Sequence, residues 1–214
     1  MDVLNVRAAR AIWLVDARDL NPRGLDILPA LTGIRDRYRF QSYPRTIEDA
    51  DESSAKGIAF AAGKLVFEEK SYALVKATMF SDGLVVETAL STDLSEAFLA
   101  DVLEFLSSKY GLTYNPDMIH RRMYISELIV HSRKDLGRLF APLAKTIEKL
   151  NLLTGKEFHP HGFGLSEDLG KLRPTAFRFE READKLFSQG RYFSSAPLKT
   201  SQHIELLEEM ESLF

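Results

Sequence analysis

Apolar and polar positions along the chain change period several times, and each change predicts an element. Residues 11–15 (AIWLV) form a short apolar run, which predicts a short strand, and Asn21-Pro22-Arg23-Gly24 breaks it. Proline is tolerated in a first helical turn, where its missing N–H would be unpaired anyway. A helix is therefore expected over 25–35. Tyr38, Phe40 and residues 42–44 predict a second short strand, and the acid- and serine-rich stretch 46–56 predicts a solvated loop.

The β signal is strongest over 57–90. Lys64, Val66, Glu68 and Lys70 alternate with Leu65, Phe67 and Glu69, and Ala73, Val75, Ala77 and Met79 then make one apolar face. Period two marks a half-buried strand. Asp82-Gly83 separates this run from the strand pattern of 84–90, which predicts a tight hairpin, because both turn residues accept positive φ. Residues 93–110 read as a helix, with Leu94, Phe98, Val102, Phe105 and Leu106 at helical spacing. Asp93 and Glu96 form a candidate capping pair, and Gly111 can close the C-terminus. Tyr114-Asn115-Pro116-Asp117 marks a boundary.

The second half has the same rhythm. Met123, Ile125 and Ile129 alternate with Arg122, Tyr124, Ser126 and Leu128, predicting a strand. A long helix is expected over 134–153, with Leu136, Leu139, Phe140, Leu143, Ile147 and Leu150 on one inward stripe. Pro142 inside it predicts a kink, or two helices meeting near Phe140. Strands follow over 158–165, 175–182 and 191–195. The last element is an acidic amphipathic helix with Ile204, Leu207 and Met210 inward, and Glu205, Glu208, Glu209 and Glu211 toward water. Each half thus reads strand, helix, strands, helix. The expected fold is one globular α+β domain, 1–214, with a mainly antiparallel sheet backed by amphipathic helices. Two readings of the repeated rhythm stay open: a pseudo-duplication with halves 1–115 and 116–214, or coincidence, because strand-then-helix runs are common and the halves share no convincing residue-level repeat.

Composition narrows the function classes. The 214 residues include 28 basic and 31 acidic side chains, for a net charge of −3, with 45% apolar and 28% charged residues. These values are globular and exclude disordered or collagen-like chains. The absence of cysteine removes disulfides, thiolate metal sites and thiol nucleophiles. The apolar patch near Trp13 is too short for a signal-peptide core, and no apolar stretch approaches 18 residues. The expectation is a cytosolic protein without a membrane span or lipid anchor.

Three constellations could carry chemistry. His159-Pro160-His161 places two imidazoles at i, i+2, which share a face if they lie on a strand. Glu157 has the same parity and Asp168 follows, so Glu157, His159 and His161 are the candidate ligands of a divalent metal, and with it of a hydrolase or nuclease. Pro160 and Gly162 equally suit an exposed polar turn. Glu68-Glu69-Lys70 matches a fragment of a metal-dependent nuclease core, but the acids Asp49 and Asp51 lie in the acidic loop, and a solvated hairpin end is the ordinary reading. Ser194-Ser195 with His203 nearby lacks a nucleophile elbow, and Gly162-x-Gly164 opens no helix.

Charge distribution adds a further candidate. Lys171, Arg173, Arg178, Arg181, Lys185, Arg191 and Lys199 crowd one segment, with Phe177, Phe179, Tyr192 and Phe193 interleaved. Arg122 and its neighbours would join them on an adjacent strand. Arg178, Arg181, Arg191, Lys199 and Arg122 are thus candidate contacts to single-stranded nucleic acid, or to an acidic partner such as the glutamate-rich C-terminal helix of this chain or of a second copy. Phe177 and Phe179 have the parity opposite to Arg178, which suits a core face backed by a solvated charged face. With no catalytic set assembled, the leading expectation is a non-enzymatic protein-interaction or assembly module of a cytosolic, prokaryotic system. It would need no cofactor and would bind a protein partner or itself. The metal-dependent hydrolase and the nucleic-acid binder are the alternatives.

Overall fold

The computed structural model describes residues 1–45, 56–167 and 176–214. The expected acidic loop, except Lys56, lies outside them, as do Asp49, Asp51, Asp168, Lys171 and Arg173. The fold is α+β. Its elements run β1 (Asp2–Leu14), α1 (Ala17–Leu20), α2 (Leu28–Tyr38), β2 (Ile58–Phe67), β3 (Lys70–Phe80), β4 (Gly83–Thr88), α3 (Thr92–Tyr110), β5 (Arg121–His131), α4 (Ala144–Thr154), β6 (Gly162–Leu165), β7 (Phe177–Arg181), β8 (Arg191–Ala196) and α5 (Thr200–Ser212). A 3-10 segment, Leu136–Leu143, leads into α4. Among the described residues no helix is long and apolar enough to cross a membrane.

The chain forms two compact units, Ala8–Ile125, and Met1–Arg7 with Ser126–Phe214. In the first, the hydrogen-bonded strand order is β2-β3-β4-β1; in the second it is β5-β8-β7-β6. The hairpin and cross-strand pairings in both are antiparallel. The registers also correspond. Ala9–Leu14 pairs with Thr88–Gly83, and Ser126–His131 pairs with Ala196–Arg191, six residues in each case. The closing helix starts four positions after Thr88 in one unit and after Ala196 in the other. Phe60 faces Ala77 where Phe163 faces Phe179. The strand–helix–strands–helix rhythm read from the sequence is thus one topology present twice.

Several boundaries differ from expectation for identifiable reasons. The first strand starts at Asp2, well before residue 11. No strand covers 38–44. Tyr38 ends α2, Arg39 takes a left-handed conformation (φ 53°), and only Ser42 bridges to Ala61. Tyr38 and Phe40 are held by ring packing instead, on Phe98 at 4.8 Å and on Phe60 at 5.2 Å between centroids. The apolar face expected at Ala73, Val75, Ala77 and Met79 is interrupted, because the β3–β4 register shifts between Leu74 and Lys76. Leu74 and Ala77 enter the core, while Ala73 and Val75 stay exposed. At α3 the cap is Ser91, whose hydroxyl accepts from the Leu94 N–H, and the Asp93–Glu96 pair does not serve. Glu211 is half-buried rather than facing water and accepts a hydrogen bond from the Ser132 hydroxyl.

The cores are unequal. Among the described residues, the core cluster of the first unit joins 22 buried apolar residues between its strands, α2 and α3, and that of the second joins seven, centred on Leu128, Phe179, Tyr192 and Leu207.

Candidate functional site

The histidine pair precedes its strand. β6 begins at Gly162, so the same-face argument for His159 and His161 does not apply. His159 Nε2 lies 3.4 Å from Glu157 Oε1, both exposed. His161 takes different neighbours: its Nδ1 accepts from Arg181 Nε at 3.3 Å, and its Nε2 lies 3.7 Å from Glu180 Oε2. A guanidinium beside an imidazole lone pair opposes a cation there. Among the described residues no three histidine or carboxylate groups are placed to hold a metal. Glu68 and Glu69 form the tip of the β2–β3 hairpin, both with positive φ, and are exposed.

The basic candidates do not share one face. Residues paired across a sheet lie on the same side, so Arg178, Glu180, Phe193 and Arg191 occupy one face of the second unit, and Phe179, Arg181 and Tyr192 the other. Arg191 is bound to Glu182, with Nε–Oε2 at 2.5 Å. Arg181 is turned to His161 and to the Lys185 carbonyl. Lys199 is the N-cap residue of α5. Arg122 belongs to the other unit and stacks over Trp13 at 5.0 Å from the ring centroid.

One pair the sequence reading set aside does meet. Ser194 Oγ lies 2.8 Å from His203 Nε2 and 3.0 Å from the Arg178 carbonyl oxygen. Both residues are fully buried, and burial pushes the imidazole down to about 4 against a weaker interaction with the Ser126 backbone. With both side chains fully buried, the pair acts as a structural pin of α5 on its strands. Its counterpart in the first unit is Ser95, four residues into α3 as His203 is into α5, donating to the Ala9 carbonyl at 2.8 Å. The first unit also encloses an apolar gap of about 50 Å³ lined by Leu20, Ile34, Leu103 and Leu106. That is well below the roughly 150 Å³ that accommodates benzene in an engineered core.

The exposed chemistry lies on α4. α2 and α4 hold the same place in the two topologies, both have eleven residues, and both end in a left-handed residue, Arg39 or Gly155. Their fourth and seventh residues are Leu31 and Ile34 in α2, and Ile147 and Leu150 in α4. α2 buries Ala30, Leu31, Gly33, Ile34 and Tyr38, whereas α4 buries nothing. Leu143, Leu150 and Leu153 are 50%, 39% and 71% exposed.

Two local causes account for this. The 3-10 segment Leu136–Leu143, which contains Pro142, places Leu136, Leu139 and Phe140 on the second core, where Phe140 meets Phe187 at 4.9 Å. Close approach of α2 to α3 also needs Gly33, since a Cβ there would sit 1.9 Å from Tyr110 Oη. The matching sixth residue of α4 is Lys149. Periodicity marked the leucines of α4 as an inward stripe, and the signals against it were Pro142, Lys149 and the additional Leu152 and Leu153. Compared with models of known protein families and with curated proteins, the chain matches none.

Proposed function

We propose that this protein is a non-enzymatic protein-interaction or assembly module in which α4 is the docking element. The observation that carries the reading is an amphipathic helix with its leucines uncovered, at the topological position where α2 is seated. A helix laid along a partner is a recurrent mode of recognition, with apolar residues at i, i+3, i+4 and i+7 as anchors. Leu143, Ile147 and Leu150 have that spacing, and exposed apolar surface rimmed by lysines suits an interface.

The test is site-specific photocrosslinking in intact producing cells, with a benzophenone amino acid at Leu153 or, as control, at exposed Lys64. A discrete protein adduct is expected at position 153, lost on Leu150→Asp. No adduct above the Lys64 control would overturn the reading.

A further inference from the structure

We propose that the occupant of α4 is α5 of a second copy of this chain, an inference that rests on the docking reading above. Residues four apart line one row of a helix. On α4, Lys145, Lys149 and Leu153 form such a row, with Leu150 beside it; on α5, Glu205 and Glu209 form another, continued by Leu213, the C-cap residue, which keeps helical φ and ψ, with Leu206 beside it. The rows match in length and spacing and carry opposite charge. Leu206 and Leu213 are 37% and 77% exposed, so α5 also presents apolar surface away from its own core. Lys145, Lys149, Glu205 and Glu209 make no ion pair with a described residue of their own chain.

The charges select among occupants. Two α4 helices packed together would set lysine against lysine, and two α5 helices glutamate against glutamate. Only the mixed pair is complementary, and complementary charge fixes partner and register while buried leucines hold the contact. An eleven-residue helix spans only about 16 Å, so one seam falls short of the roughly 800 Å² per partner of a standard interface. A two-fold axis repeats it, α4 on the partner's α5 and α5 on the partner's α4, because an isologous contact is used twice. The expected assembly is a weak, salt-sensitive dimer.

Sedimentation equilibrium of the full chain over a micromolar concentration series tests this, with circular dichroism confirming the fold of each variant. Wild type should dimerise, less so at high salt. Lys145→Glu/Lys149→Glu and Glu205→Lys/Glu209→Lys should each weaken self-association by about tenfold or more. Mixing the two variants should restore a heterodimer, since each now complements the other at both seams. Dimers that persist in both variants, or a mixture that stays monomeric, would overturn the proposal.

Wild type that is monomeric throughout would also overturn it, and the Leu153 adduct then separates the two ideas. A foreign-protein adduct leaves docking intact and removes the second copy. An adduct at twice 24.2 kDa is the expected result.

Discussion

Replacing His203 with glutamine should abolish an acid-linked loss of stability. His203 is fully buried, and desolvation brings its pKa from 6.5 to about 4. Its neutral form is therefore favoured in the folded protein, while the unfolded chain takes up a proton near pH 6.5. Because the folded value is depressed, the stability linked to this group is full above pH 6.5 and is lost as pH falls toward 4. At 1.36 kcal/mol per unit, the loss is about 2 kcal/mol between pH 8 and pH 5, and about 3 kcal/mol by pH 4.

The window between pH 8 and 5 is diagnostic, because the carboxylates held low by hydrogen bonds, such as Asp16 beside Arg18, titrate below it. Urea denaturation at pH 8, 7, 6 and 5 gives the slope. Glutamine retains an amide able to bond Ser194 Oγ but does not titrate, so His203→Gln should flatten the curve in this window whatever its stability at pH 8. A variant with the wild-type slope, or an NMR titration placing the His203 ring near 6.5, would refute the reasoning.

Other positions give independent tests. Ser95→Ala removes a buried hydroxyl bonded to the Ala9 carbonyl and 3.2 Å from Thr88 Oγ1; urea unfolding should show a loss of about 1–2 kcal/mol, and a loss no larger than that of the exposed Ser108→Ala would count against the pin. Gly63→Ala puts a Cβ 2.4 Å from the ring of Phe40, itself 4% exposed; overpacking should cost about 2 kcal/mol, and a neutral result would show that Phe40 can move. Glu68→Asn with Glu69→Gly relieves two positive-φ residues at the hairpin tip (49° and 63°); thermal melts should show a gain of about 1–2 kcal/mol, and no gain would mean that the tip is unstrained.

What the sequence made legible was local. Asp82-Gly83 between two alternating runs marked the β3–β4 hairpin, although the two turn residues are Ser81 and Asp82, Gly83 already opens β4, and neither Asp82 nor Gly83 takes the positive φ expected of it; the spacing of Leu94, Phe98, Val102 and Leu106 marked α3, where all four are buried. What it concealed depends on partners distant in the chain. The register shift at Val75 is set against β4 and moves the buried positions to Leu74 and Ala77, which alternation within β3 cannot show. The Ser194–His203 pin joins a strand to a helix nine residues on, and no periodicity announces it. Arg178 and Arg181 are close in sequence yet lie on opposite faces, because three residues along a strand reverse the side. Leucine spacing on α4 shows that one face is apolar; whether its own chain covers that face depends on what else fills the core.

The comparison of α2 with α4 shows how one frame accommodates both outcomes. Strand order, pairing register and the polar pin of the closing helix correspond in the two units, so the scaffold does not distinguish them. The difference lies in a few side chains. In the first unit Gly33 lets α2 approach α3, and Leu31 and Ile34 complete a core that already holds Phe60 and Phe98. In the second, Phe140 and Phe187 close over Tyr192, with Phe187 4.8 Å from the Tyr192 ring, and Lys149 stands where the close approach required glycine. A charged side chain is poorly accommodated in close helix packing unless it is paired, and α4 buries none of its residues. On the proposal above, Lys149 and Lys145 one turn before it meet the acidic row of a second copy's α5.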